Sequence, residues 1–190
     1  MRILLSDNNV SNYFTDFTYK IIPKRQKPYK LMTLTCVNNK DNTSNLCSLI
    51  FLIYEDYMSI YYALKYLHDI YKFNPRFIHI DYSKAERKAL PQKNLFDSTP
   101  IIISCFFHFT QCLYRKLNEY HLIKRKLTKR SFEIIRNFEL ICFMNPKHIK
   151  KYEIFLENNM ENEKEKNIFK YLNDNWIKKT LKYIIIIILY

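Results

Sequence analysis

The chain has 190 residues, 48% of them hydrophobic, which excludes a disordered polypeptide and fits one domain with a real core. Its 31 basic and 18 acidic residues leave a formal charge of +13, which favours a polyanionic partner, nucleic acid first and an anionic membrane surface second. Glycine is absent, so tight turns must use Asn, Asp, Ser or Pro, and any motif that needs a bare backbone is altered.

Residues 1–12 read as a truncated lead-in. Residues 13–22, YFTDFTYKII, are rich in β-formers and carry Asp16 in their middle. Pro23 and Pro28 bracket the basic connection KRQK, and residues 29–37, YKLMTLTCV, read as a second strand. NNKDNTSN is a turn by composition, and residues 46–54, LCSLIFLIY, form a near-continuous apolar third strand. Short polar connections between these strands predict an antiparallel meander. The period then changes. Ile60, Leu64, Leu67 and Tyr71 keep helical spacing across residues 56–73, and Asn74-Pro75 stops that helix. Phe77–Ile80 is a short buried strand closed by Asp81, and Ser83 with Glu86 predicts a capping box that starts the next helix. Residues 93–100 are a polar loop. Residues 101–105 read as a fifth strand, followed by a helix to about Tyr120. Residues 132–144 and 148–160 predict two more helices with Asn145-Pro146 between them. ENEKEKN is an acidic and basic stretch, and residues 169–177 carry the only tryptophan on a further helix.

The order βββ-α-β-α-β-α, with an acid in strand one and another closing strand four, is the pattern of a ribonuclease-H-like fold. The class is therefore α/β, a mixed sheet of three antiparallel strands followed by α-β-α-β-α, with C-terminal helices. The core is expected over residues 13–120, a helical continuation over 121–182 and an apolar tail over 183–190. That tail, YIIIIILY, falls far short of the ~20 apolar residues of a spanning helix, so no membrane partner is expected. Five cysteines, an odd number with no signal peptide ahead of them, point to a reducing, intracellular compartment and away from secretion.

Acids at the ends of buried strands are where a nuclease-like fold places metal ligands, which singles out Asp16 and Asp81. Asp16 also reads as a solvent-facing residue beside a turn, and Asp81 as the cap of the helix after it. Cys105, His108 and Cys112 include a pair on one helix face. A structural zinc site needs a fourth ligand, and no second pair stands at finger-like spacing, so zinc is not expected. The plainer reading makes them buried packing groups. Arg115, Lys116, Lys124, Arg125, Lys126, Lys129 and Arg130, interleaved with Tyr114 and Tyr120, form a basic run that can track a phosphate backbone. The same run also reads as a solvated helix face.

Four blocks together resemble the catalytic core of Mutator-like element (MULE) transposases, a DDE-type family. They are DFTYKIIPK (16–24), FIHIDYSKAERKAL (77–90), CFFHFTQCLYRKL (105–117), and FELICFMNPKHIKKYEIFL (138–156) with YLNDNW (171–176). The resemblance implies a ribonuclease-H-like fold and DNA strand cleavage and transfer. It implies Asp16 and Asp81 as catalytic ligands of Mg²⁺ or Mn²⁺, with Cys105 and His108 supporting the site. DNA is the implied partner, with an oligomer compatible and a nuclear location if the source is eukaryotic. Phe17 and Ser104 stand where the family has glycine. The family's third acid, a glutamate, lies beyond the tryptophan, and no acid follows Trp176 here. The missing acid implies impaired chemistry. The alternative is a catalytically inactive nucleic-acid-binding or interaction module derived from a transposase.

Overall fold

Strand formation follows the apolar runs. The computed structural model describes residues 10, 12–18, 30–38, 40, 42–81, 83–123 and 127–178. The strands are β1 (Asn12–Thr18), β2 (Lys30–Val37), β3 (Ser44–Leu52), β4 (Phe77–Ile80) and β5 (Ile101–Ser104). They form one five-stranded mixed sheet in the order β3-β2-β1-β4-β5. β2 runs antiparallel to both β1 and β3, and β1 runs parallel to β4. The class is α/β, as the sequence predicts. Residues 19–29, the basic connection KRQK, the tail at 183–190 and most of the lead-in lie outside the described residues.

By contacts the chain divides into two units, Met1–Ile103 and Ser104–Tyr190. In the first, the core lies on one face of the sheet. Tyr13 and Phe17 of β1, Met32 and Leu34 of β2, and Ile78 and Ile80 of β4 pack in one cluster with Ile60, Leu64 and Leu67. The last three belong to α1 (Tyr57–Tyr71), at the helical spacing that the sequence shows. α2 (Lys84–Ala89) adds Ala89 to the same cluster. Alternation along β1 puts Tyr13, Thr15 and Phe17 inward and leaves Asp16 exposed on the other face.

Two boundaries of the first unit differ from the sequence reading, and left-handed backbone turns explain them. β3 starts at Ser44 because its turn ends early: Asn42 donates its N–H to the Asn38 carbonyl at 2.9 Å and adopts a positive φ of 55°. α1 ends at Tyr71, ahead of Asn74-Pro75. Lys72 takes a left-handed conformation, φ 59°, and donates its N–H to the His68 carbonyl. Asn94 (φ 67°) and His121 (φ 56°) turn the chain in the same way, where glycine would ordinarily serve. At the other end of α1 the Asp56 carboxylate accepts the Ser59 N–H at 2.8 Å. Asp56→Ala is expected to cost about 1 kcal/mol in chemical denaturation, the usual value of such a cap.

The second unit is helical: α3 (Phe106–Glu119), α4 (Lys129–Ile141), α5 (Pro146–Asn158), α6 (Glu163–Leu172) and a wide turn at Asn173–Ile177. Leu113, Leu117, Phe138, Leu156 and Ile168 are buried within it, and Trp176 meets Phe109 edge-on at 4.8 Å between centroids. α4 starts three residues before the predicted 132, because Thr128 caps it by accepting the Ser131 N–H. The acidic and basic stretch is likewise helical: Asn162 accepts the Glu165 N–H and starts α6 within it. Asn145-Pro146 begins α5, with Asn145 as cap and Pro146 in the first turn, where a missing N–H costs nothing. Among the described residues no helix is long and apolar enough to cross a membrane.

Candidate metal centre

Strand pairing brings the two predicted acids together. The parallel register sets Asn12 beside Phe77, Tyr13 beside Ile78 and Phe14 beside His79. Carried two residues on, it sets Asp16 level with Asp81, just past the end of β4. Asp16 leaves the sheet on the face opposite the core. A carboxylate oxygen of Asp16 and one of Asp81 lie within 4.8 Å of each other. Two carboxylates this close repel unless a cation or a proton stands between them.

The rest of the site is built beneath Asp81. Asp81 Oδ1 accepts the Ser83 N–H at 2.6 Å, which holds that carboxylate against the backbone of the turn. Ser83 Oγ in turn accepts the Glu86 N–H at 3.4 Å and caps α2. Only this half of the predicted capping box forms, because the Ser83 N–H is already taken by Asp81. The Glu86 side chain turns inward and is 1% exposed. Thr15 donates its hydroxyl to Glu86 Oε1 at 2.5 Å and stands 3.3 Å from the His79 carbonyl. With one proton to give, Thr15 serves the shorter contact. Glu86 Oε2 is buried with no hydrogen-bond partner among the described residues.

These surroundings set the charges. Burial pushes the Glu86 carboxyl up to about 9; the Thr15 hydroxyl works against the rise, while the Asp81 and Glu55 carboxylates add to it. Burial likewise pushes His79 down to about 4 and keeps its ring neutral. That ring stacks on Phe14 with centroids 4.1 Å apart, and its Nε2 lies 3.3 Å from Asn12 Oδ1. Phe14 and His79 thus form an aromatic floor one step before the two acids on the same face.

The remaining candidates lie in the second unit. Cys105 is the N-cap residue of α3 without a side-chain capping bond, and half-buried His108 follows in the first turn. Arg115 and Lys129 are exposed. Lys116 pairs with Glu119 and sets its ammonium 4.9 Å from the Tyr171 ring centre. Lys124, Arg125 and Lys126 lie outside the described residues. Arg130 is engaged within the fold: it donates to Glu165 at 2.6 Å and to the Asn159 carbonyl at 2.6 Å.

Glu133, Glu139 and Glu153 also lie in the second unit. Glu133 is exposed and 3.9 Å from Arg130, and Glu139 is half-buried. Glu153 is buried and holds Lys150 and Asn173. The acid that sequence reasoning missed is Glu86. Its signal was a polar Thr15 between Tyr13 and Phe17 on the inward side of β1, which calls for a polar partner in the core. Comparison of the sequence with family models and with curated proteins finds no match.

Proposed function

We propose that the first unit is a ribonuclease-H-like domain of the MULE transposase type, which acts on DNA with Mg²⁺ or Mn²⁺ held by Asp16 and Asp81. The observation that carries this reading is that the carboxylates of Asp16, on β1, and Asp81, just after β4, come within 4.8 Å of each other. The strand order β3-β2-β1-β4-β5, with β2 antiparallel to β1 and β3 and β1 parallel to β4, supports the fold assignment.

The donor set fits a hard divalent cation. Two carboxylates on an exposed face offer oxygen ligands and leave room for the waters that Mg²⁺ retains. In a chain of net charge +13, two acids held side by side are a local reversal of sign that a cation relieves. When bound, such an ion activates a water or hydroxyl and stabilises a leaving oxygen at phosphorus. The chain's own residues do the rest. Ser83 holds Asp81 in place through its N–H. The floor of Phe14 and neutral His79 contributes no competing positive charge. Exposed Arg115 and Lys129 offer positive charge to a phosphate backbone.

Calorimetric titration of Mn²⁺ into the full chain tests the reading. The wild type is expected to give binding heat that is lost in Asp16→Asn and in Asp81→Asn. A folded wild type with no heat would sink the metal-dependent reading and leave a nucleic-acid-binding module derived from a transposase.

A further inference from the structure

The second unit carries a groove that the packing of its own helices leaves open. It lies between α4 and α5, holds about 460 Å³, and its walls include Lys129, Phe132, Glu133, Arg136, Asn137 and Phe155. Helical spacing builds one wall. Positions 129, 132, 133, 136 and 137 fall three, four, seven and eight residues from the first, so they share one face of α4. Phe155 stands on the facing helix, α5. The two phenylalanines are 51% and 49% exposed. A single exposed apolar residue is ordinary, but two rings opening onto one recess mark a binding site. Tyr152 stacks on Phe155 with centroids 5.5 Å apart and donates its hydroxyl to Asn137 at 3.4 Å, so the Phe155 ring is oriented in the free protein. Lys129 and Arg136 flank Phe132 along α4, both exposed, and neither has a hydrogen bond or ion pair among the described residues. Glu133, the acid at the groove, lies 3.9 Å from Arg130, which Glu165 holds in turn. Two uncommitted cations therefore border two exposed rings.

We propose that this groove binds single-stranded DNA, with an unpaired base stacked on Phe132 and Phe155 and the flanking phosphates drawn to Lys129 and Arg136. The groove itself is independent of the metal centre, and only the choice of DNA over RNA rests on the reading of the first unit. An aromatic ring accepts any base, since every base has a π-face, and cations beside it meet the backbone. Arg136 suits a phosphate because its planar fork presents paired N–H donors. In a duplex the base faces are covered by their neighbours, so a protein ring reaches one only after the strand opens. The volume lies within the roughly 300–1,000 Å³ of small-ligand sites and suits one nucleotide at a time. An anionic membrane would satisfy the cations but not the shape. A helix lying on a bilayer buries a projecting apolar face, whereas these rings line a recess.

The test is fluorescence anisotropy of a short labelled oligothymidylate titrated with the full chain in EDTA, with circular dichroism to confirm folding. EDTA keeps the carboxylate centre out of the readout, so a failure here leaves the metal reading standing, and absent Mn²⁺ heat leaves the groove standing. Phe132→Ala and Phe155→Ala are each expected to weaken binding about 5-fold to 100-fold, the range for losing one stacked base, without changing its salt dependence. Lys129→Ala and Arg136→Ala should each reduce the slope of log affinity against log salt by about 0.7, the value for one phosphate contact on a single strand. Phe132→Trp is expected to keep wild-type binding and Phe132→Leu to fall with Phe132→Ala, since leucine keeps apolar area without a π-face. If Phe155→Ala does not fold, the Phe132 series decides alone. Unchanged affinity in Phe132→Ala, or leucine binding as well as phenylalanine, would overturn the proposal. So would an equal loss toward a duplex of the same length. Phenylalanine-dependent binding confined to oligouridylate, or to phosphatidylserine vesicles, would overturn it in favour of RNA or of a membrane surface.

Discussion

Above about pH 6.5 the protein is expected to lose stability steadily until about pH 9, and Glu86→Gln is expected to abolish that loss. The sign follows from proton counting. In the unfolded chain the Glu86 carboxyl ionises near 4.5, and in the fold near 9. Between those values the folded state holds a proton that the unfolded state has released, so rising pH favours unfolding. The stability linked to this proton is fully present below about 4.5 and is gone above about 9. His79 has the opposite linkage. Its folded value near 4 lies below its unfolded value of 6.5, so its contribution is present above 6.5 and is lost as pH falls toward 4. From about 4.5 to 6.5 the two slopes oppose each other and the wild-type curve is nearly flat. Of these two groups only Glu86 acts above 6.5, at up to about 1.4 kcal/mol per pH unit, the limit for one group. Glu86→Gln should flatten the alkaline side and uncover the His79 slope on the acid side. Urea midpoints measured through this range without divalent cations check both arms. A wild type that stays flat up to pH 9 would mean that Glu86 is ionised in the fold.

Glu165→Ala is expected to destabilise the second unit by about 3 kcal/mol, the low end of the range for breaking a buried charge pair. Its side chain is 2% exposed. It accepts from Arg130 Nε at 3.2 Å and Nη2 at 2.6 Å, from the Glu161 N–H at 2.9 Å and from Asn162 Nδ2 at 3.0 Å. Burial works against its charge, yet the Arg130 guanidinium and these N–H groups together hold it below the usual carboxylate range. Removing it takes the acceptor from four N–H donors on three residues. The low end applies because Arg130 is 31% exposed and keeps Glu161 at 3.3 Å. Arg130→Lys should not substitute for Arg, since an ammonium cannot span both Glu165 oxygens and the Asn159 carbonyl. Chemical denaturation checks the value, and a loss under 1 kcal/mol would mean that the cluster is solvated. The same variants bear on nucleic-acid binding: weaker DNA binding by Arg130→Ala counts as lost phosphate contact only if the fold is intact.

Much of the first unit was legible because its signals are local. Phe77–Ile80 is the same strand in sequence and in structure, since an apolar run closed by Asp81 and followed by a cap admits little else. The spacing of Ile60, Leu64 and Leu67 likewise names the buried face of α1. Asp16 and Asp81 were legible as a pair once the strand order placed β1 beside β4. Glu86 was not. Ser83 followed three residues later by Glu86 is the same string whether the glutamate reaches back to the cap or turns into the core. What decides it is Asp81, which takes the N–H that the glutamate would have used, and Thr15, which waits on another strand. The partner of Arg130 was hidden for a related reason: in a basic run every cation looks alike, and only the fold brings Glu165 to one of them. The starts of α4 and α6 were hidden because Thr128 and Asn162 cap polar first turns, ahead of any apolar period.

The left-handed residues bear on how much change this protein tolerates. Asn42 and Asn94 occupy that conformation at modest cost, because a short amide side chain can bond the local backbone, but Lys72 and His121 lack that relief and take it at about 1–2 kcal/mol each. Set beside the roughly 5–15 kcal/mol that holds a typical domain together, that is a sizeable share of the margin. A chain without glycine stands closer to its unfolding threshold before any further substitution arrives. Its mutational robustness is correspondingly thin, and a return to glycine at position 72 or 121 is where a first reserve of tolerance would be recovered.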